Sequence, residues 1–234
     1  MARQRREPLL VSFSGIDGAG KSTQIDALQY RLEAGGLRTL RAEFWDDVAV
    51  FPKMREFLSL AVFRGDQGVG NPERPIRRRD KNVKSAFLTA ARCFLYALDT
   101  FHLRSVVAQA RRSCAAVVLF DRYIYDELAN LPGNRALDFL LRFFLRLAPR
   151  PDLACLIDAE PEAAFRRKPE YPLEFLHANR AAYLRLSRTV KGMLVAGPGT
   201  PARVQEEILE AVKSKLRRSL PESAVAAAAR PQGC

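Results

Sequence analysis

Residues 9–22 read LLVSFSGIDGAGKS. LLVSFS is β-like and reads as a strand buried on both faces. Gly15, Gly18 and Gly20 follow at once, and a helical pattern begins straight after them. A chain that passes from strand to helix through such a segment has a backbone free to curl inward. Its consecutive N–H groups then point into one hollow and attract an anion, and the helix start adds the positive end of its dipole. The spacing Gly15-Ile16-Asp17-Gly18-Ala19-Gly20-Lys21-Ser22 fits G-x-x-x-x-G-K-[ST]. Residues Gly15 and Asp17 to Thr23, with Gly18, Ala19, Gly20, Lys21 and Ser22 between, are expected to cradle the phosphates of ATP. Lys21 reaches the β- and γ-phosphates, and Ser22 ligates Mg2+. Asp17 is a carboxylate among phosphates. It either faces the acceptor or a metal-bound water, or it shapes an Asx-type turn.

The rest of the chain repeats the alternation. β-like runs at 37–44, 115–121, 153–158 and 192–197 are separated by helical patterns at 21–36, 52–63, 83–112, 134–148, 172–190 and 202–218. This order predicts an α/β fold, a five-stranded parallel sheet with helices on both faces, spanning residues 1–218 as one domain. Ligands of such sheets bind beyond the carboxyl ends of the strands. The polar segments after LLVSFS, AAVVLF and LACLI lie there. Residues 64–82 are rich in Gly, Pro and charge and read as a long loop, and 219–234 read as a disordered tail.

Composition narrows the partners. The net charge of +12 points to a polyanion or to a solvated basic surface. The basic loop IRRRDK at 76–81 carries no aromatic residue on which a base could stack, so nucleic acid is not an expected partner. There is no C-x-x-C pair, and His102 and His177 lie far apart, which argues against structural zinc. Cys155, in the apolar DLACLID, reads as a reduced core residue of a cytoplasmic protein. No run approaches the ~18 apolar residues that suggest a membrane span.

Five segments together resemble the thymidylate kinase family. FSGIDGAGKSTQ (13–24) resembles its P-loop, and VVLFDRY (117–123) the D-R-Y after its third strand. PEAAFRRKPEY and EFLHANRAAYLRL resemble its arginine-bearing lid and the next helix, and GTPARVQEEIL its closing loop and helix. The resemblance covers about residues 8–212. It implies a P-loop NTPase three-layer fold with a small lid, and ATP- and Mg2+-dependent phosphoryl transfer to a nucleoside monophosphate, dTMP to dTDP. Arg122, just beyond a strand end, is placed to bridge the donor and acceptor phosphates. Asp121 holds magnesium through water or fixes Arg122. Because Ala19 is not an arginine, the resemblance assigns the missing charge to Arg166 and Arg167 of the lid; otherwise these two form a solvated helix face. It also implies a homodimer through the helix at 83–112, where apolar residues fall on more than one face.

The acceptor side departs from the family. Ser14 stands where a glutamate is usual, and RAEFWDD (41–47) replaces a phosphate-binding turn, leaving Arg41 or Arg55 to compensate. Trp45 either stacks on a base or packs in the core. Tyr96 takes the place of a stacking Phe, while Thr100 replaces the base-reading arginine, with Arg92 a substitute. Asp126 and Glu127 add charge that could serve sugar hydroxyls, magnesium or a basic neighbour. A site that hydrogen-bonds one base selects by the polar groups it leaves unpaired. These changes keep open a different nucleotide or small metabolite as acceptor, and, as a third reading, a nucleotide-gated binding protein.

Overall fold

The computed structural model describes residues 7–49, 86–131 and 135–219; of 86–92, 135–136 and 219 it describes the backbone only. The expected helix at 52–63, the loop at 64–82 and nearly all of the tail lie outside the described residues. The last helix continues to Ser219, one residue into that expected tail.

Five strands form the sheet: β1 (Leu9–Ser14), β2 (Thr39–Glu43), β3 (Val117–Asp121), β4 (Leu153–Ile157) and β5 (Leu194–Ala196). All neighbours are parallel, in the order β2-β3-β1-β4-β5. β1 is therefore central and buried along its whole length. Leu10, Val11 and Phe13 sit in the core with Val117 to Phe120 of β3 and Leu153 to Ile157 of β4. A parallel strand covered on both faces needs such near-continuous apolar character.

The helices are α1 (Lys21–Ala34), α2 (Ala86–Arg111), α3 (Ile124–Leu128), α4 (Arg135–Leu147), α5 (Pro161–Arg167), α6 (Leu173–Thr189) and α7 (Pro201–Ser219). A parallel pair needs a long crossover, so each strand leaves the sheet at the same edge. The register pairs Phe13 with Asp121 and Ser14 with Leu156. The segments following β1, β3 and β4 thus emerge side by side.

Two elements differ from the sequence expectation. The second strand stops at Glu43, and Phe44–Val48 closes into a π-helical turn. Asp47 accepts a hydrogen bond from the Glu43 amide at 2.7 Å, and the Ala49 amide donates to the Phe44 carbonyl at 2.8 Å. The short helix α3 has no counterpart in the sequence periodicity. Its start is held by Asp126, which accepts from the Tyr123 amide at 3.2 Å.

Candidate active site

Glycine is required at two points of the loop between β1 and α1. Gly15 has φ +145°, and a Cβ there would stand 2.5 Å from the Ile157 carbonyl oxygen at the end of β4. Gly18 has φ +79°, and its Cβ would press still closer on the Ala164 carbonyl of α5. The loop is thus clasped between β4 and the lid helix. Lys21 opens α1 and is buried. Its Nζ donates to the carbonyls of Gly15 and Ile16, each at 2.9 Å. Burial first, and the nearby Arg122 charge second, lower its pKa to about 8. Ala19 is buried within the loop, while Ser22 and Thr23 are exposed on the first turn of α1.

Arg122 follows β3 directly and has φ 67°, the one positive φ outside glycine among the described residues. That conformation costs an ordinary residue about 1–2 kcal/mol. Its amide donates to the Phe13 carbonyl at 3.0 Å, so the backbone turns while still stitched to β1. Its guanidinium is held by two carboxylates. Nη2 pairs with Asp17 of the loop, and Nη1 reaches Asp126 of α3 at 3.2 Å. Burial opposes the Arg122 charge, yet Asp126 and Asp17 more than offset it and raise its pKa.

Asp126 is a buried hub. Besides Arg122 and the Tyr123 amide, it accepts from Ser14 Oγ at 2.6 Å and from Tyr183 Oη of α6 at 2.8 Å. Burial, then the Asp126 charge, push the Tyr183 phenol well above its ordinary range. Four segments therefore meet at one carboxylate: β1, the turn after β3, α3 and α6.

Other expected residues fall around this centre. Asp121 accepts from Arg41 Nη2 at 2.5 Å and is not the partner of Arg122. Arg41 also pairs with Asp26 at 2.8 Å, so its fork is engaged by carboxylates. On α5, Arg167 Nη1 lies 3.5 Å from where a Cβ on Gly20 would stand, close over the loop. Arg166 is exposed, and nothing among the described residues ties it to the loop. Trp45 is 41% exposed and meets Phe44 edge-on at 5.4 Å, so it is not a core residue. Tyr96 and Thr100 are buried in α2. Tyr96 packs against Phe144, and the Thr100 hydroxyl donates to the Tyr96 carbonyl at 2.6 Å, a bond within the helix. Glu127 is buried beside Asp126. Arg55 lies outside the described residues, as does the side chain of Arg92.

No protein-family model matches the chain. The probable thymidylate kinase of Pyrococcus abyssi is 28% identical over 218 residues, 88% of this chain and 96% of that one. The probable thymidylate kinase of Thermococcus gammatolerans is 31% identical over 161 residues, covering 68% of this chain and 69% of its relative. The chain belongs to the thymidylate kinase family. Among solved structures, thymidylate kinase from Candida albicans has a similar fold, with a TM-score of 0.61, 16% identity and coverage of 89% and 92% of the two chains.

Set against the thymidylate kinase pattern, the departure at Ser14 has a partner. The usual glutamate is missing, but Asp126 brings a carboxylate to the same corner, in contact with the Ser14 hydroxyl. Of the roles open to Asp126 in the sequence, the basic neighbour is realised, and that neighbour is Arg122. Two residues that hold this region together had no sequence signal pointing to them. Tyr183 reads as an ordinary helix position. Arg180, also on α6, grips Asp158 through two bonds of 2.7 and 2.8 Å and Glu160 through two more of 2.6 and 2.9 Å. It thereby fixes the entry to the lid helix.

Proposed function

We propose that this member of the thymidylate kinase family transfers the γ-phosphoryl group of ATP to dTMP and releases dTDP and ADP. The observation that carries the reading is the meeting of Lys21, Asp17, Arg122 and Asp126 at the glycine-rich loop between β1 and α1. An oxygen of the acceptor phosphate attacks the γ-phosphorus, and the bond to the β-bridging oxygen breaks. Little covalent work falls to the protein, so its task is to position the groups and neutralise their charge.

Each residue has a task in that scheme. The Lys21 ammonium leaves the Gly15 and Ile16 carbonyls and turns to the β- and γ-phosphates. Arg122 exchanges its bond with Asp17 for the phosphates and keeps Asp126 as its anchor. Asp17, released, faces the acceptor. Arg167 covers the transferred group from the lid, and Arg166 adds to the field there. The exposed Ser22 hydroxyl at the start of α1 suits a magnesium ion. No group of three or more His, Cys, Asp or Glu side chains among the described residues could hold a metal, so most ligands to the ion would come from phosphates and water. Magnesium there supplies charge neutralisation. Asp121 acts through Arg41, which orders the end of β2 next to Trp45. Trp45 is the aromatic surface offered to an acceptor base. Glu127 supports the same corner from α3.

The reading takes residues 1–218 as one kinase domain in the cytoplasm; no described helix is long and apolar enough to cross a membrane. It also includes a homodimer through α2. The deciding experiment is ADP formation with magnesium and ATP against dTMP, dUMP, UMP, CMP, AMP and GMP. Preference for dTMP supports the assignment. Turnover with a different acceptor, or with none of them, overturns it.

A further inference from the structure

A second charged region lies away from the phosphate cradle. On α4, Phe139 and Phe143 are 73% and 49% exposed. With Arg142 and Arg146 they line a hollow of about 230 Å3. Phe143 is braced edge-on against the buried Phe144 at 5.7 Å. The same two arginines border a larger cavity of about 530 Å3 at the amino ends of β4 and β5, where Arg150, Arg188, Lys191 and Lys215 join them. None of these six cations forms an ion pair among the described residues. Asp152 also lines the cavity, but its carboxylate accepts from the Leu10 amide at 2.8 Å. Six cations against one carboxylate leave the field there positive.

We propose that this face binds single-stranded nucleic acid, its phosphates on the six cations and its bases stacked on Phe139 and Phe143. The pairing of stacking rings with a cationic groove is the general device for holding single strands. The loop IRRRDK has the charge without the rings; α4 has both. A membrane surface fits less well. Membrane-lying helices segregate rings from cations, whereas here Arg142 shares one hollow with both rings, and the other cations line a concavity. A mononucleotide would use one ring and one phosphate group, while two rings and two joined hollows suit several nucleotides in a row. A second copy of this chain would set like charge against like. The face also lies at the amino ends of the strands, opposite the edge where β1 and β3 deliver the phosphate cradle.

The test is fluorescence anisotropy of a labelled oligothymidylate of about twenty nucleotides, several stacking sites long, with the full chain. Excess dTMP and a non-hydrolysable ATP analogue occupy the cradle. Binding is expected to weaken linearly in log–log form with salt, with a slope of about −0.7 per phosphate contacted. Phe139→Ala with Phe143→Ala should weaken binding at least about fivefold and leave that slope unchanged. Arg146→Ala should reduce the slope by about 0.7. Both changes are at exposed positions, so the melting temperature should hold, and a circular dichroism melt of each variant checks this. Absence of binding at about 50 mM salt overturns the proposal. So does equal affinity for inorganic tripolyphosphate or dTTP, or an unchanged affinity in the double phenylalanine variant. Capture by vesicles of phosphatidylserine and phosphatidylcholine without oligonucleotide binding overturns it in favour of a membrane. Conversion of an oligomer to monomer by the phenylalanine changes overturns it in favour of self-association.

Discussion

Lys21 sets the pH response of the phosphate cradle. Its ammonium is buried against Arg122, which lowers its pKa to about 8. Above that pH the free protein carries a neutral amine that holds phosphates poorly. The value of kcat/KM for ATP reports the free enzyme, so it should fall as pH rises through about 8. Bound phosphates favour the charged form, so kcat should persist to higher pH. A pH–rate series checks both limbs; a flat kcat/KM across that range would remove Lys21 from phosphate binding. Asp126 is a positioning residue. It holds Arg122 in its left-handed turn and joins Ser14 to Tyr183. Asp126→Asn should lower kcat about 10²-fold, the scale of a small misplacement of reacting groups, with KM for ATP little changed. Because the side chains at 14 and 126 touch, Ser14→Glu combined with Asp126→Ser should recover part of that loss. If the pair recovers nothing while both proteins melt alike, the carboxylate is needed at 126 itself.

The lid helix α5 is governed from outside itself. It has seven residues, begins at Pro161 and is too short to be stable alone. Three contacts help place it: the Ala164 carbonyl over Gly18, the Arg180 clamp on Asp158 and Glu160 at its entry, and His177 of α6 on Glu162 at 3.0 Å. Arg180→Ala should loosen the cover over the cradle. A looser lid admits water. The expected outcome is a higher ratio of ADP released without acceptor to ADP released with it, by about tenfold. Coupled-assay rates with and without dTMP measure this ratio, and an unchanged ratio would leave Arg180 a packing role only. Gly18→Ala disturbs the same contact from the other side, since its φ is positive and the added carbon meets backbone rather than a movable side chain.

At the scale of the molecule, α2 offers a second exposed apolar surface. Phe94 and Phe101 are 64% and 59% exposed and sit seven residues apart, on one face of the helix. Aromatic surface of this kind in helical register suits a partner helix. Phe101→Asp should convert a homodimer into monomer in sedimentation equilibrium without loss of secondary structure. A wild-type chain that sediments as monomer would assign these rings to something other than self-association.

How far each feature could be read in advance follows its distance along the chain. The parallel sheet and the glycine-rich turn into α1 were legible, because both are written in local order: strand, glycines, lysine, helix within fourteen residues, then repeated alternation. The D-R-Y turn was legible as a place, but not Arg122's left-handed backbone, which depends on an amide bond to Phe13 on another strand. Thr100 and Tyr96 read as acceptor contacts because spacing cannot tell a pocket from a core; packing against Phe144 put Tyr96 inside. The carboxylate hub joins positions 112 and 57 residues apart in sequence, Ser14 to Asp126 and Asp126 to Tyr183. The basic cavity gathers cations from α4, α6 and α7. Local order along the chain was enough for the class of fold and the family, and for the glycine-rich turn that leads from β1 into α1. Tertiary structure alone decided which charges meet, since hydrogen bonds and ion pairs act over a few ångströms in space whatever their separation along the chain.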